Sequence, residues 1–189
     1  MVKEFVFFFI RYLVRCFNPR LVASSKVIFR GFPSISISRD ASIKIMEGCV
    51  INSLQYRYHV HMYNRAYFFA EGEGSCIRIG SKTRIHGSCI HARNSIEIGS
   101  RCLIAANCQI IDSNAHELSF DFIENRTNTI DVPRPVTIGD DVWIGCNSII
   151  LSGSKIGDGS VVMAGSVVRG EFPKMAIIGG NPAKILSIR

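Results

Sequence analysis

Along the C-terminal half of the chain one aliphatic position returns every six residues, as Ile138, Ile144, Ile150, Ile156, Val162 and Val168. A second register runs through Ile79 and Ile85, slips by one residue near His91, and resumes as Ile98, Ile104 and Ile110. Weaker traces, Ile37 to Ile43 and Ile45 to Ile51, precede it. Neither a helix of period 3.6 nor a flat strand of period 2 generates a six-residue beat. A three-sided coil does, because each side turns one aliphatic residue inward, so the pattern predicts stacked coils of three sides each.

Four residues after each aliphatic comes a small side chain: Ser148, Ser154, Ser160 and Ser166 late in the chain, and Cys49, Thr83, Cys89, Cys102 and Cys108 before them. These read as small fillers of a crowded interior. Gly80, Gly99, Gly139, Gly145 and Gly157 directly follow their aliphatics, where a tight corner is expected to need unusual backbone angles.

Three segments leave the beat. Residues 112–135 interpose DSNAHELSFDFIENRTNTIDVPRP, a long excursion of the kind a regular scaffold makes for function. The segment LQYRYHVHMYNRAYFF alternates apolar and polar residues and reads as strand, with Tyr56, Tyr58, Tyr63 and Tyr67 placed to stack on sugar rings or simply to pack. At the N-terminus, MVKEFVFFFIRYLVRCF has an apolar run from Phe5 to Ile10 that ends at Arg11, too short to span a bilayer. On a helix Glu4, Arg11 and Arg15 share one stripe, and Asn18-Pro19 stops it. Two readings stay open: residues 1–17 lie on an anionic inner-membrane surface, or they pack on their own domain or a neighbouring subunit. The division expected is a helix and linker over 1–33 and a coil domain over 34–189.

The formal charge of +7 comes from scattered Lys and Arg without a nucleic-acid-binding fingerprint, so it suits anionic partners generally and no nucleic acid is expected. Seven cysteines without a CxxC pair, and no secretory signal, argue against a disulfide framework or zinc site and for a cytoplasmic protein.

The run VTIGDDVWIGCNSIILSGSKIGDGSVVMAGSVVRGEFPKMAIIGGNPAKIL resembles the C-terminal half of the hexapeptide-repeat acyltransferases, in particular the branch with maltose, galactoside and polysaccharide O-acetyltransferases. The resemblance covers residues 77–189 well and 35–76 loosely. It implies an all-β, left-handed parallel β-helix, a homotrimer with active sites between subunits, and acetyl-CoA as co-substrate. It implies that His116 is the catalytic base, a role suited to histidine near neutrality. It places Trp143 beside the active site, the backbone N–H of Cys146 as oxyanion donor, and Ala164 along the pantetheine arm. Arg169 and Lys184 match positions that contact coenzyme A, although the usual lysine after Arg169 is Gly170 here. Asp112 or Glu117 is expected to orient the imidazole, with Asp112 equally suited to finish a coil corner through its side-chain hydrogen bonds. His86 stands where relatives carry a polar asparagine, and with Asn114 it is a candidate acceptor contact. The acceptor expected is a hydroxyl of a cell-envelope glycan, lipid-linked if the N-terminal helix meets the membrane. Rival readings are an amino-sugar N-acetyltransferase, a γ-class carbonic anhydrase using His86, His91 and His116, and a non-catalytic scaffold.

Overall fold

The computed structural model describes the backbone from Val2 to Arg189 and the side chains from Val6 onward. Almost all of it is a three-sided parallel β-coil. The first face stacks Leu21–Ala23, Ser42–Ile45, Cys76–Ile79, Ser95–Ile98, Val136–Ile138, Lys155–Ile156 and Glu171–Phe172. The second stacks Ile28–Arg30, Val50–Asn52, Arg84–His86, Leu103–Ile104, Trp143–Ile144, Val161–Val162, Ala176–Gly180 and Ala183–Ile188, the last pair antiparallel. The third stacks Ser34–Ile37, Tyr67–Ala70, Cys89–Ala92, Gln109–Ile111, Ile149–Ile150 and Val167–Val168.

The six-residue beat has a direct cause. Ile98 pairs with Ile138 and Ile138 with Ile156 on the first face, Ile104 with Ile144 and Ile144 with Val162 on the second, and Ile110 with Ile150 and Ile150 with Val168 on the third. Each of these side chains is buried. The slip near His91 is a reshaped coil. Ile79 pairs with Ile98, a coil of 19 residues, whereas Ile138 to Ile156 is a coil of 18. Ser88 therefore fills the small slot that six-residue spacing assigned to Cys89, and Cys89 is only half-buried.

The fillers also hydrogen-bond. Thr83 Oγ1 donates to the Gly99 carbonyl at 2.8 Å and accepts from Cys102 N–H at 3.0 Å, while the Cys102 thiol donates to the Gly139 carbonyl at 3.1 Å. Ser88 Oγ donates to Ala105 O at 2.7 Å and accepts from Cys108 N–H at 3.0 Å, and the Cys108 thiol donates to Gly145 O at 3.2 Å. Buried polar atoms need such partners, and here each links one coil to the next. Burial pushes the Cys102 and Cys108 thiols up to about 11, which keeps them uncharged and unreactive.

The corner glycines have a different reason from the one expected. Positive φ falls on Lys82, Arg101, Asp141 and Asn147, not on Gly80, Gly99 or Gly139. A Cβ on Gly80 would lie 2.5 Å from the carbonyl carbon of Gly99, and one on Gly99 would lie 2.5 Å from that of Gly139. Close stacking of coil on coil, not backbone angle, excludes a side chain there.

The coil begins at Leu21, whose strand already pairs with Ser42–Ile45, so residues 21–33 are coil rather than linker. The helix Val2–Phe17 covers this end, with Val14 buried and Ile10 packed on the same core, and the Arg11 guanidinium donates to the Ser25 carbonyl. Val6, Phe8, Phe9, Tyr12 and Phe17 remain exposed, so one stripe packs on the protein and another is uncovered. Glu4, expected on the charged stripe, lies outside the residues with described side chains. Among the described residues no helix is long and apolar enough to cross a membrane. The LQYRYHVHMYNRAYFF segment is strand only from Tyr67. Before that, residues 53–66 form an irregular excursion with Arg57 at positive φ, held by Asn107, which accepts from Tyr63 N–H and donates to His61 O.

Candidate active site

The excursion 112–135 leaves the third face after Ile111 and returns to the first at Val136. Its two legs are tied together. Asp131, 8 % exposed, accepts hydrogen bonds from Ser113 Oγ and from Asn114 N–H, and Ser113 Oγ accepts from Ala115 N–H. One step outward, Thr129 Oγ1 accepts from Glu117 N–H at 3.1 Å, and the Thr129 carbonyl faces His116 Nδ1 at 3.1 Å. A carbonyl only accepts, so Nδ1 carries the proton and Nε2 holds the free lone pair of an exposed imidazole. That is the tautomer a general base needs.

This arrangement replaces the expected orienting carboxylates. Both Asp112 oxygens are engaged by the backbone N–H groups of Arg93 and Asn94, at 2.8 and 2.7 Å. Burial raises the pKa of this carboxyl, opposed by those two donors. Asp112 thus closes a corner of the neighbouring coil and does not touch the imidazole. Glu117 contributes its backbone N–H, and its side chain makes no hydrogen bond among the described residues. Asn114 is exposed at the foot of the loop through its bond to Asp131. Below it, Arg93 forms a two-pronged pair with Glu71 at 2.8 and 3.2 Å, and His91 Nε2 meets Glu71 at 2.9 Å while its ring stacks on Phe69 at 4.6 Å.

A second set of the expected residues gathers elsewhere. The outer surface of the second face carries a groove of about 560 Å³ lined by Trp143, Cys146, Met163 and Ala164 at one end and by His86, Arg84, Tyr58 and His59 at the other. Gly145 is needed because a Cβ there would lie 2.5 Å from Ala164 N. Cys146 sits at the corner just beyond the Trp143–Ile144 strand, and its carbonyl accepts from Gly165 N–H at 2.9 Å. Among the described residues its own N–H has no partner, as an oxyanion donor requires. Asn52 meets His86 Nδ1 at 3.3 Å, and Tyr58 stacks on the His86 ring at 4.4 Å with planes 16° apart. Burial, reinforced by Arg30, Arg84 and His59, lowers the pKa of His86 to about 4, so this imidazole is neutral at physiological pH. His86 and His91 belong to different faces and are each committed to other partners.

No residue of the excursion lines this groove, so within one chain His116 and Cys146 are not brought together. Arg169 and Lys184 are exposed and also outside it, Arg169 just past the third-face strand Val167–Val168 and Lys184 on the closing antiparallel strand opposite Gly179. Nothing in the sequence marks Thr129, because a backbone carbonyl has no residue-type signature. Asp131 was one of several acids in the excursion, with nothing to single it out.

Residues 135–170 match the family described as bacterial transferase hexapeptide, six repeats. That match covers the late coils, from the strand Val136–Ile138 to Val167–Val168. Among similar proteins, a tetrahydropyridine-dicarboxylate N-acetyltransferase of Clostridium perfringens is 56 % identical over 52 residues, which are 28 % of this chain and 22 % of that one. A hexapeptide-repeat acetyltransferase of Vibrio cholerae, solved with acetyl coenzyme A, is 36 % identical over 64 % of each chain with a TM-score of 0.56. A polySia-specific acetyltransferase is 25 % identical, with 89 % of this chain and 75 % of that one aligned at a TM-score of 0.60. The matched segments span a third or less of the length of the curated relatives.

His86 gives a pH test. Its folded pKa lies below that of an unfolded histidine, so as pH falls from about 6.5 toward 4 the unfolded chain takes up the proton first and stability is lost; above that window it is retained in full. Thermal melts of wild type should fall more steeply between pH 6.5 and 4.5 than those of His86→Gln, and parallel slopes would contradict the buried neutral imidazole.

Proposed function

We propose that the protein transfers acetyl from acetyl-CoA to a hydroxyl of a cell-envelope glycan, with His116 as general base. The observation that carries the reading is the imidazole whose Nδ1 proton is held by the Thr129 carbonyl, leaving Nε2 basic and exposed. His116 Nε2 removes the hydroxyl proton as the oxygen attacks the thioester carbonyl. The Cys146 N–H receives the developing oxyanion. Collapse breaks the C–S bond, and the imidazolium returns its proton to the departing thiolate of coenzyme A. The Thr129 carbonyl stabilises the imidazolium between these steps.

In this reading the coil winds left-handed and three copies assemble, so that the excursion of one reaches the groove of the next. The excursion supports this with six uncovered apolar side chains, Leu118, Phe120, Phe122, Ile123, Ile130 and Val132, each 58–78 % exposed. Across from them the second face exposes Leu103, Trp143 and Met163. Patches of this kind mark contact surfaces. Ala164 lines the path of the pantetheine arm, and Arg169 and Lys184 meet the phosphates of coenzyme A. Asn114 and His86 contact the acceptor from the two sides of the interface. The N-terminal helix, with Phe8, Phe9, Tyr12 and Phe17 uncovered beside Arg15, rests on the anionic inner leaflet and keeps the enzyme in the cytoplasm close to lipid-linked acceptors.

An amine acceptor is the second reading, favoured by the Clostridium relative, an N-acetyltransferase. It uses the same base and thioester, and only the product distinguishes the two.

Release of coenzyme A from acetyl-CoA in the presence of envelope glycans should fall about 10²-fold or more in His116→Ala, with acetyl-CoA binding kept. Turnover unchanged by that substitution would end the proposal, and an acetamide rather than an ester product would select the amine reading. Loss of residues 1–17 should release the protein from anionic vesicles in flotation, and unchanged flotation would remove the membrane contact.

A further inference from the structure

The groove on the second face has a direction. Its strands run in the order Ile28–Arg30, Val50–Asn52, Arg84–His86, Leu103–Ile104, Trp143–Ile144, Val161–Val162, then Ala176–Gly180 and Ala183–Ile188. If the Cys146 N–H marks the acetyl carbonyl, coenzyme A extends past Ala164 toward the late strands, and the acceptor fills the opposite end. That end holds Arg84, His59 and the His86–Tyr58 stack, and Arg30 stands in register with His86 two strands further along the sheet, beyond the groove's lining.

The charge of that end is one-sided. No Asp or Glu lines the groove. Arg30 and Arg84 are exposed, and among the described residues neither has an ion-pair partner, whereas Lys26, Arg78, Arg93, Arg101, Lys155 and Lys174 each pair with a carboxylate. The Tyr58–His86 stack offers a flat apolar wall beside them. Neutral sugars need a platform and hydrogen bonds; two unpaired guanidinium groups add recognition of an anion. Neighbouring strands are about 4.8 Å apart, so Arg84 lies about 10 Å along the sheet from the Trp143 strand, roughly the span of one or two sugar rings.

We propose that the acceptor is an anionic glycan, whose carboxylate or phosphate sits against Arg84 and Arg30 within one or two residues of the acetylated hydroxyl. This rests on the acetyl-transfer reading of the same groove and adds the substrate class to it. Tyr58 and His59 from the 53–66 excursion close over the sugar that bears the charge, which makes that excursion a specificity element.

The test is retention of the full-length protein, with coenzyme A present, in gels containing polygalacturonate, carboxyl-reduced polygalacturonate, or a phosphate-bearing teichoic acid. Wild type should be retarded at least tenfold more by an acidic polymer than by the carboxyl-reduced one, and which acidic polymer wins distinguishes carboxylate from phosphate. Arg84→Glu should lose that preference. Lys44→Glu, the same charge change on the first face, should keep it. Equal retention by neutral and acidic polymers overturns the inference, as does equal loss in both variants, which would make the binding a property of net charge. Acetyl-CoA affinity, measured separately, should stay within about twofold in Arg84→Glu. A large loss there would give Arg84 to coenzyme A and also overturn the inference, while wild type that binds no acetyl-CoA at all would instead sink the underlying transferase reading.

Discussion

The structure depends on the close stacking of one coil on the next. Neighbouring strands pair in register on three faces, so the inward Ile and Val of the late coils lie on one another, and Thr83, Ser88, Cys102, Cys108 and Ser148 each bond to a carbonyl of the following coil. The same closeness removes the side chain at Gly80, Gly99 and Gly139. Apolar burial at about 25 cal/mol per Å² supplies the driving force, and the hydroxyl and thiol bonds prevent the cost of unsatisfied polar atoms in so narrow a core. Among the described residues the interior of the prism is filled by these apolar side chains and small polar fillers. Function has to sit on its outer faces or on what departs from it.

Two departures do this. The excursion 112–135 is tied across its base by Asp131 and Thr129, and the Thr129 carbonyl meets the His116 imidazole. The excursion 53–66 folds over the second face, lays Tyr58 on His86, and is held by Asn107 from another coil. In the proposed reaction the first supplies the base, while the second shapes the groove. The 19-residue coil from Ile79 to Ile98 contains the corner at Arg93 and Asn94 whose N–H groups hold Asp112, the first residue of the excursion 112–135.

Much of this was legible in the sequence because stacking writes itself into spacing. The aliphatic beat gave the faces, and its pause between Ile110 and Val136 gave the excursion. Less visible was anything held by backbone. The group that meets His116 Nδ1 is a carbonyl, whereas the acids of suitable type nearby are Asp112, whose carboxylate is held by two backbone N–H groups, and Glu117, whose side chain makes no hydrogen bond among the described residues. The early coils carry only the weak traces Ile37 to Ile43 and Ile45 to Ile51, so the spacing does not mark the start of the coil at Leu21. The tyrosine-rich segment alternated like a strand, yet most of it bends, since its contacts run to Asn107 and His86 rather than to a neighbouring ladder.

The central claim is that base and acyl groove, on different faces of one chain, form one site between two copies. Subunit mixing tests it most directly. His116→Ala and Ala164→Trp, the second filling the path of the pantetheine arm, are each expected to be inactive alone. Co-refolded in equal amounts, they should recover a substantial fraction of wild-type turnover, because some interfaces then pair an intact imidazole with an intact groove. Co-assembled mixtures that stay as inactive as either variant would contradict the account and place the whole site within one chain.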